Sequence, residues 1–420
     1  TGITPASLAR DLTLCTAEVE GLEPFAPALA EVVVGHVVSR DPHPDADKLG
    51  VCRVDLGDGS DPEQIVCGAP NVGAGQLVAV AKLGSALPDG EGGSFKIKKA
   101  KIRGVESRGM ICSERELGLG EEHDGIWVLP FDPAEHGDLV GKPVAEVLGA
   151  VEGHYDWLIE IDNKSLTHRP DLWGHRGIAG EVAAIYGREL NAIATELPPT
   201  GDAAPTPIRV DTDGCSRYIG LAIDDLENGK SPEWMRHLLL AVGQRPLDLF
   251  VDVSNFVMLD LGQPNHLFDR TALGEDGILV RNAADGERMT TLDGMERELT
   301  AADVLITSGG EAVALAGVMG GEASKVREGT TSLLLELAAF DPVRIRRTSQ
   351  RLALRTDSST RFEKHLDPTL PEKAAAHLVS ILAQLQPDLT LPAPLAEDGA
   401  WSDPASEVHL RPDRCRAILG

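Results

Sequence analysis

Four features in the second half of this 420-residue chain carry groups that could do chemistry. His266 lies in Gly262-Gln263-Pro264-Asn265-His266, just past the expected end of a helix. Gly317, Gly320 and Gly321 punctuate Leu315-Ala316-Gly317-Val318-Met319-Gly320-Gly321. Glu336 interrupts the apolar run Leu333 to Phe340, and Thr356 and Ser358 belong to Thr356-Asp357-Ser358-Ser359. Each has a plain reading beside a functional one. A histidine in a turn is more often a structural hydrogen-bonder than a catalytic group. The glycines serve a tight turn needing positive φ, or they let the backbone approach a ligand closely; their spacing is not that of a phosphate-cradling loop. A carboxylate in an apolar run is costly to bury without a partner. An ion pair at a strand edge answers that cost, and so does a pocket that brings it a polar ligand. On these residues alone both readings stand.

A second group is electrostatic. Lys96, Lys98, Lys99, Lys101, Arg103 and Arg108 crowd one segment of an otherwise acidic chain. Basic side chains gain affinity for nucleic acid by neutralising phosphates and releasing counterions. The bland alternative is a solvated strand face, with Phe95, Ile97, Ala100 and Ile102 pointing inward while the lysines face water. Aromatics are scarce here, so shape-based recognition of structured RNA fits better than base stacking. His154, His168 and His175 form no recurrent ligand motif, and Arg169 and Arg176 beside them oppose a cation, so no metal site is expected.

The elements that must position these groups follow from pattern. Short strands at Val32–Val38, Gly50–Leu56, Ile65–Cys67, Leu77–Val80 and Phe95–Ile102 suggest a small closed barrel, with Arg40 to Pro44 a loop by composition. Asp156 to Ile161 reads as a strand and Asp171 to Tyr186 as a helix stopped by Gly187. A linker at Leu197–Pro207 precedes a second α+β region. There, helices are expected from Ser231-Pro232 to Gly243 and from Leu249 to Gly262. Hairpins turning at Asp293-Gly294 and Ser308-Gly309-Gly310 follow, and then an amphipathic helix from Glu372 to Gln386. Pro392 to Pro404 is a second loose run. Val408 to Arg411 reads as a strand before a helix opened by Pro412.

Composition sets bounds. The length predicts two to four domains. A formal net charge of −27 argues against a nonspecific nucleic-acid coat or a membrane-surface protein, while leaving room for a local basic patch. Six cysteines without a CxxC spacing suggest buried free thiols in a reducing cytosol. No apolar run approaches the ~20 residues of a bilayer span, and no signal peptide is visible. Both ends look cut: Ile3 to Glu23 resembles the end of an element, and the last helix stops at Gly420 before it can be buried.

The runs HPDADKLGVCRVDLG, VCGAPNV and KIRGVESRGMICSERELGLG in the first half, and GQPNHLFD, LAGVMGG, LLLELAAFDP and LRTDSSTRFEKHLDP in the second, occur in an order that resembles one family. That family is the bacterial phenylalanyl-tRNA synthetase β-subunit. The resemblance implies a multidomain α+β protein with an OB-fold β-barrel inserted in an N-terminal α+β domain, followed by an α+β editing domain. It implies a truncated N-terminal segment at 1–31, the tRNA-binding OB-fold at 32–150 and a strand–helix piece at 151–200 completing the N-terminal domain. The editing domain is implied at 205–390, and a linker with the start of a truncated next domain at 391–420. Ser107 and Ser113 would belong to the tRNA-binding face. Glu336 would recognise the hydroxyl of tyrosine misattached to tRNA(Phe), Gly317 would line that pocket, and His266 would sit at its wall. Gly320 and Gly321 would shape the pocket, and Thr356 and Ser358 would flank the ester. The chain departs from the family at Ser358 and Leu267, where Ala is commoner. The α-subunit of a cytoplasmic α2β2 heterotetramer would activate phenylalanine with ATP and Mg2+, this segment binding no cofactor itself, no membrane and no DNA. The rival readings are a free-standing tRNA-binding protein and a trans-acting editing hydrolase.

Overall fold

The valine-rich run at Val32 builds the longest strand of a five-stranded antiparallel sheet. In the computed structural model, which describes residues 2–89, 93–120, 125–151, 154–162 and 164–420, the chain divides into two units. The first comprises residues 1–162 with 237–245, the second 163–236 with 246–420.

The first unit opens on a helix, Pro5–Cys15, whose Thr4 cap accepts from the Ser7 amide. Strand β1 (Val19–Phe25) pairs far along the chain with β11 (Asp156–Ile161). Between them lie β2 (Val32–His43), β3 (Ala46–Asp55), β4 (Glu63–Cys67), β5 (Leu77–Lys82), β6 (Ala86–Pro88), β7 (Ser94–Lys96), β8 (Ala100–Ile102), β9 (Val105–Ser107) and β10 (Gly109–Ile111). The main sheet runs β10-β5-β2-β3-β4. Its two edges meet: the Arg108 amide donates to the Gln64 carbonyl at 2.9 Å, and the Gln64 side chain donates to the Glu106 carbonyl at 2.8 Å. A nearly closed barrel results.

Two expectations are corrected here. Arg40 to Pro44 is largely strand, because β2 continues past two irregularities in its pairing with β3 and turns only after His43. Phe95 to Ile102 is not one strand with four apolar residues inward. Only Ile97 is buried, Phe95 and Ala100 are exposed, and the chain forms two hairpins, β6–β7 and β8–β9.

The second unit holds two sheets with a shared core. Its strands are β12 (Ile208–Asp211), β13 (Cys215–Ile223), β14 (Asn265–Asp269), β15 (Ile278–Asn282), β16 (Arg288–Thr290), β17 (Glu296–Glu298), β18 (Val304–Ser308), β19 (Glu311–Leu315), β20 (Met319–Gly320), β21 (Leu333–Phe340) and β22 (Ala396–Asp398). One sheet is ordered β14-β21-β13-β22, the other β12-β15-β18-β19-β20. Tyr218, Phe268, Leu334 and Phe340 from the first meet Val280, Ile306 and Leu315 from the second. Helices Leu249–Leu261 and Leu370–Leu385 pack on the other face of the first sheet. Covered on both faces, β21 is buried along all eight residues, which is why it reads as an apolar run without alternation.

Smaller departures have local causes. The helix expected from Asp171 is a 3-10 turn at Pro170–Trp173 and a helix at His175–Tyr186, parted at Gly174. The loose run after Pro392 contains β22, which pairs with β13. Buried Arg217 holds it there. Its guanidinium donates to both Glu397 oxygens at 2.9 and 3.0 Å and to the Pro368 carbonyl at 2.6 Å, and it lies 4.0 Å from the centre of the Trp401 ring. Residues Val408 to Arg411 form no strand, although the helix Pro412–Leu419 starts on Pro412 as expected. Cys52, Cys67, Cys112 and Cys215 are buried free thiols, Cys15 is exposed and Cys415 half-buried. No helix among the described residues is long and apolar enough to cross a membrane.

Candidate functional site

Antiparallel register brings the key polar pair together. His266 on β14 and Gly220 on β13 both stand directly opposite Glu336 on the central strand β21. His266 is therefore in a strand, not in the turn expected from its sequence. Side chains alternate along a strand, so His266 shares its face with Phe268, and Glu336 shares its face with Leu334 and Ala338. That face looks into the core between the two sheets. Gly220 carries no side chain there, and Ile208 packs against its backbone, with Cδ1 2.7 Å from where a Cβ would lie.

Glu336 sits mid-strand and is 6 % exposed, so the edge ion pair is not its explanation. Its Oε2 is shut off from solvent and has no hydrogen-bond partner, as is Nε2 of His266, although the histidine as a whole is only half-buried. Burial moves both groups toward neutrality. It pushes the Glu336 carboxyl up to about 8 and the His266 imidazole down to about 4. At neutral pH Glu336 is thus mainly a neutral acid, where a carboxylate was expected. An acid has one donor and one free acceptor oxygen, and a neutral imidazole adds one of each.

The glycine turn closes over this pair. A Cβ on Gly320 would lie 2.6 Å from Cε1 of His266, so the bare backbone rests on the imidazole ring. Gly317 takes φ +65° and packs among Phe340, Phe362 and Ile345, where a Cβ would meet their atoms at 2.9–3.1 Å. The Gly321 amide donates to the Val313 carbonyl at 2.8 Å and ties the turn to β19. Thr356 donates to the Val318 carbonyl at 2.8 Å, and Ser358 to the Gly317 carbonyl at 3.2 Å. Those hydroxyls hold the turn in place. Thr356 also caps the short helix Asp357–Phe362.

The first unit presents a different surface. Hairpin β8–β9 turns on Arg103-Gly104, both at positive φ (44° and 87°), the form of a two-residue hairpin loop. Holding a non-glycine residue in that region costs about 1 kcal/mol, and here it places Arg103 at the tip. His43 pins the hairpin. The Asp45 amide donates to its Nδ1 at 3.0 Å, so Nε2 carries the proton and donates to the Ile102 carbonyl at 3.0 Å. Lys96, Lys98, Lys101 and Arg103 are exposed and make no ion pair among the described residues. Lys99 pairs with Glu106 at 2.8 Å, and Arg108 with Glu63 at 2.9 Å and Glu106 at 3.6 Å. Ser107 is buried, accepting from the Val66 amide at 3.1 Å and donating to the Gly109 carbonyl at 3.2 Å. Ser113 is buried too and donates to Glu116. Both serines shape the barrel from within and offer no hydroxyl to a ligand.

Residues 32–138 match the model of a putative tRNA binding domain, and residues 214–387 that of the B3/4 domain. The phenylalanine–tRNA ligase β-subunit of Syntrophotalea carbinolica is 43 % identical over 432 positions, covering 100 % of this chain and 50 % of that protein. That of Halalkalibacterium halodurans is 43 % identical over 394 positions, covering 91 % and 47 %. That of Bacillus subtilis is 41 % identical over 429 positions, covering 100 % and 51 %. The chain belongs to the phenylalanine–tRNA ligase β-subunit family. It spans about half the length of the curated relatives it matches.

Within this β-subunit segment, His266, Gly317, Gly320, Gly321, Glu336, Thr356 and Ser358 converge through a continuous set of contacts, although they come from four separate stretches of sequence. Of the basic residues, Lys99 and Arg108 are engaged by carboxylates. Sequence reasoning missed Tyr218, whose buried hydroxyl has no partner, and the Phe340–Phe362 pair at 5.0 Å beside Gly317. Tyr218 carries no spacing signal; it is one more apolar-seeming residue of β13. Leu267, one of the two departures from the family, faces away from the pair on β14.

Proposed function

We propose that this chain is the tRNA-binding and editing portion of a cytoplasmic phenylalanine–tRNA ligase β-subunit. It removes tyrosine misattached to tRNA(Phe) by hydrolysis. Phenylalanine activation with ATP and Mg2+ belongs to the α-subunit of an α2β2 assembly. The near-closed five-stranded barrel supports the OB-fold reading, with Lys96, Lys98, Lys101 and Arg103 meeting phosphates, and the paired sheets of the second unit form the editing domain.

One observation carries the editing reading: Glu336 Oε2 and His266 Nε2, side by side on neighbouring strands, are buried without partners. Tyrosine differs from phenylalanine by one hydroxyl, and an apolar pocket rejects an added hydroxyl only about 10²-fold. A pocket built to bond that hydroxyl works the other way. A phenylalanyl ring entering it leaves both polar atoms unpaired, and such sites reject the analogue lacking the hydroxyl by about 10⁴–10⁵. Only the wrong product is then held for hydrolysis, with the glycine turn and its Thr356 and Ser358 braces bounding the pocket.

The test is deacylation of tyrosyl-tRNA(Phe) by the assembled ligase. Glu336→Ala should lower its efficiency roughly five- to hundred-fold, because it leaves the tyrosine hydroxyl unpaired in the pocket at a cost of about 1–3 kcal/mol. Phenylalanyl-tRNA(Phe) should be hydrolysed no faster than before. Undiminished deacylation by a well-folded variant would falsify the assignment and leave Glu336 a structural residue.

A further inference from the structure

Tyr218 is the largest unexplained polar side chain in the second unit. It is 0 % exposed, lies in the core between the two sheets, and its hydroxyl has no hydrogen-bond partner among the described residues. Leaving such a group unpaired costs about 1–3 kcal/mol, so a buried orphan hydroxyl calls for a reason. Phenylalanine would fill the same space without that cost.

Register supplies the reason. Tyr218 pairs with Ala338 and Gly220 with Glu336, so Tyr218 stands diagonal to Glu336 on the same face of adjacent strands. Diagonal neighbours lie roughly 7–8 Å apart, within reach of long and aromatic side chains. Neither Ala338 nor Gly220 puts a long side chain between them, although Ile208 packs over Gly220, its Cδ1 2.7 Å from where a Cβ would lie. Burial, and after it the Glu336 charge, holds the Tyr218 phenol well above the ordinary range. Both act likewise on Cys215, whose thiol already donates to the Arg217 carbonyl at 3.3 Å. The titratable groups facing Glu336 are thus Tyr218 and Cys215 on β13 and His266 on β14. The opposing sheet's contribution to the shared core is apolar, Val280 and Ile306 included.

We propose that Tyr218 is the positioning residue for Glu336, donating its hydroxyl to the carboxyl directly or through one buried water and so aiming the other oxygen into the pocket. A water needs two to four polar partners in such a place, and Tyr218 Oη and one oxygen of the Glu336 carboxyl are two. The inference rests on the editing reading for its biological meaning, but not for its test. A donor to a carboxyl favours the ionised form. Removing the Tyr218 hydroxyl therefore raises the pH at which Glu336 ionises.

That midpoint is measurable without substrate. Stability against denaturant is followed from pH 5 to pH 10 in wild type, Tyr218→Phe, Glu336→Gln and the double variant, and the Glu336-dependent part is taken from the cycle. Tyr218→Phe should move its midpoint upward by roughly half a unit to one unit, the equivalent of one net hydrogen bond. An unmoved midpoint overturns the proposal, whatever the change in overall stability, because a packing role alone does not touch Glu336. Deacylation of tyrosyl-tRNA(Phe) by the assembled ligase then reads the consequence. Tyr218→Phe should lose roughly three- to tenfold in kcat/KM. If the midpoint moves but wild type does not hydrolyse tyrosyl-tRNA(Phe), the editing reading falls while the Tyr218–Glu336 coupling stands.

Discussion

Glu336 binds its proton more tightly in the folded protein than in the unfolded chain, and this has a consequence for stability. Its carboxyl is raised from 4.5 to about 8 by burial. The stability it permits is fully present below about pH 4.5 and is lost as pH rises through 8, because the folded state resists ionisation. His266 has the opposite sense: lowered from 6.5 to about 4 by burial, it is fully accommodated above pH 6.5 and costs stability as pH falls through 4. Glu336→Gln should therefore gain on wild type between pH 5 and pH 8, by at most about 1.4 kcal/mol per pH unit, in urea denaturation at stepped pH. A constant difference across that range would mean that the group is not held neutral. At this scale the sequence was half legible. A Glu inside Leu333 to Phe340 is visible as an anomaly, but its protonation state depends on how completely two layers cover it, and that depth is not written in neighbouring residues.

Register is what assembles the site from elements. Moving β14 by one residue against β21 would turn His266 to the helix-packed face and bring Leu267 into the pocket. The run Gly262 to His266 contains Pro264 and reads as a turn, yet the long-range pairing with β21 draws Asn265 onward into a strand. Strand pairing overrode local composition there, as it did for Arg40 to His43 in β2. The glycine turn was legible as a turn, but the ring that Gly320 touches was not. Gly320→Ala should push a methyl into the His266 imidazole and Leu292, whose nearest atoms lie 2.6 and 3.0 Å from an ideal Cβ. Overpacking of this kind costs about 1–3 kcal/mol. The expected outcome is a folded protein with a lower unfolding midpoint and a loss of tyrosyl-tRNA(Phe) deacylation larger than that fall explains, measured by denaturation and by single-turnover hydrolysis. Wild-type hydrolysis in a stable Gly320→Ala variant would place His266 outside the binding pocket.

Across the whole molecule, an acidic chain of net charge −27 keeps Lys96, Lys98, Lys101 and Arg103 of the basic segment without an ion pair among the described residues. Composition showed the cluster; only the hairpin geometry separates these from Lys99 and Arg108. Replacing Lys98, Lys101 and Arg103 by Ala should weaken tRNA binding and flatten its salt dependence by roughly 0.7–0.9 log units per lost phosphate contact, read from a filter-binding titration at several salt concentrations. An unchanged slope would return the hairpin to ordinary solvated surface. The resembling motifs reached both halves of the chain, whereas the loose-looking residues after Pro392 hid a strand, because three residues of edge pairing leave no periodic trace. That strand sets a timetable. Arg217 and Glu397, which clamp β22 to β13, are 180 residues apart in sequence. During synthesis at about 5–20 residues per second, β13 emerges first and must wait for β21 and then β22 before both its edges are covered. Pairings so distant in sequence form slowly and leave apolar strand edges open meanwhile. For roughly 9–36 seconds of synthesis, the strand that carries Tyr218 keeps an edge that other chains could pair with.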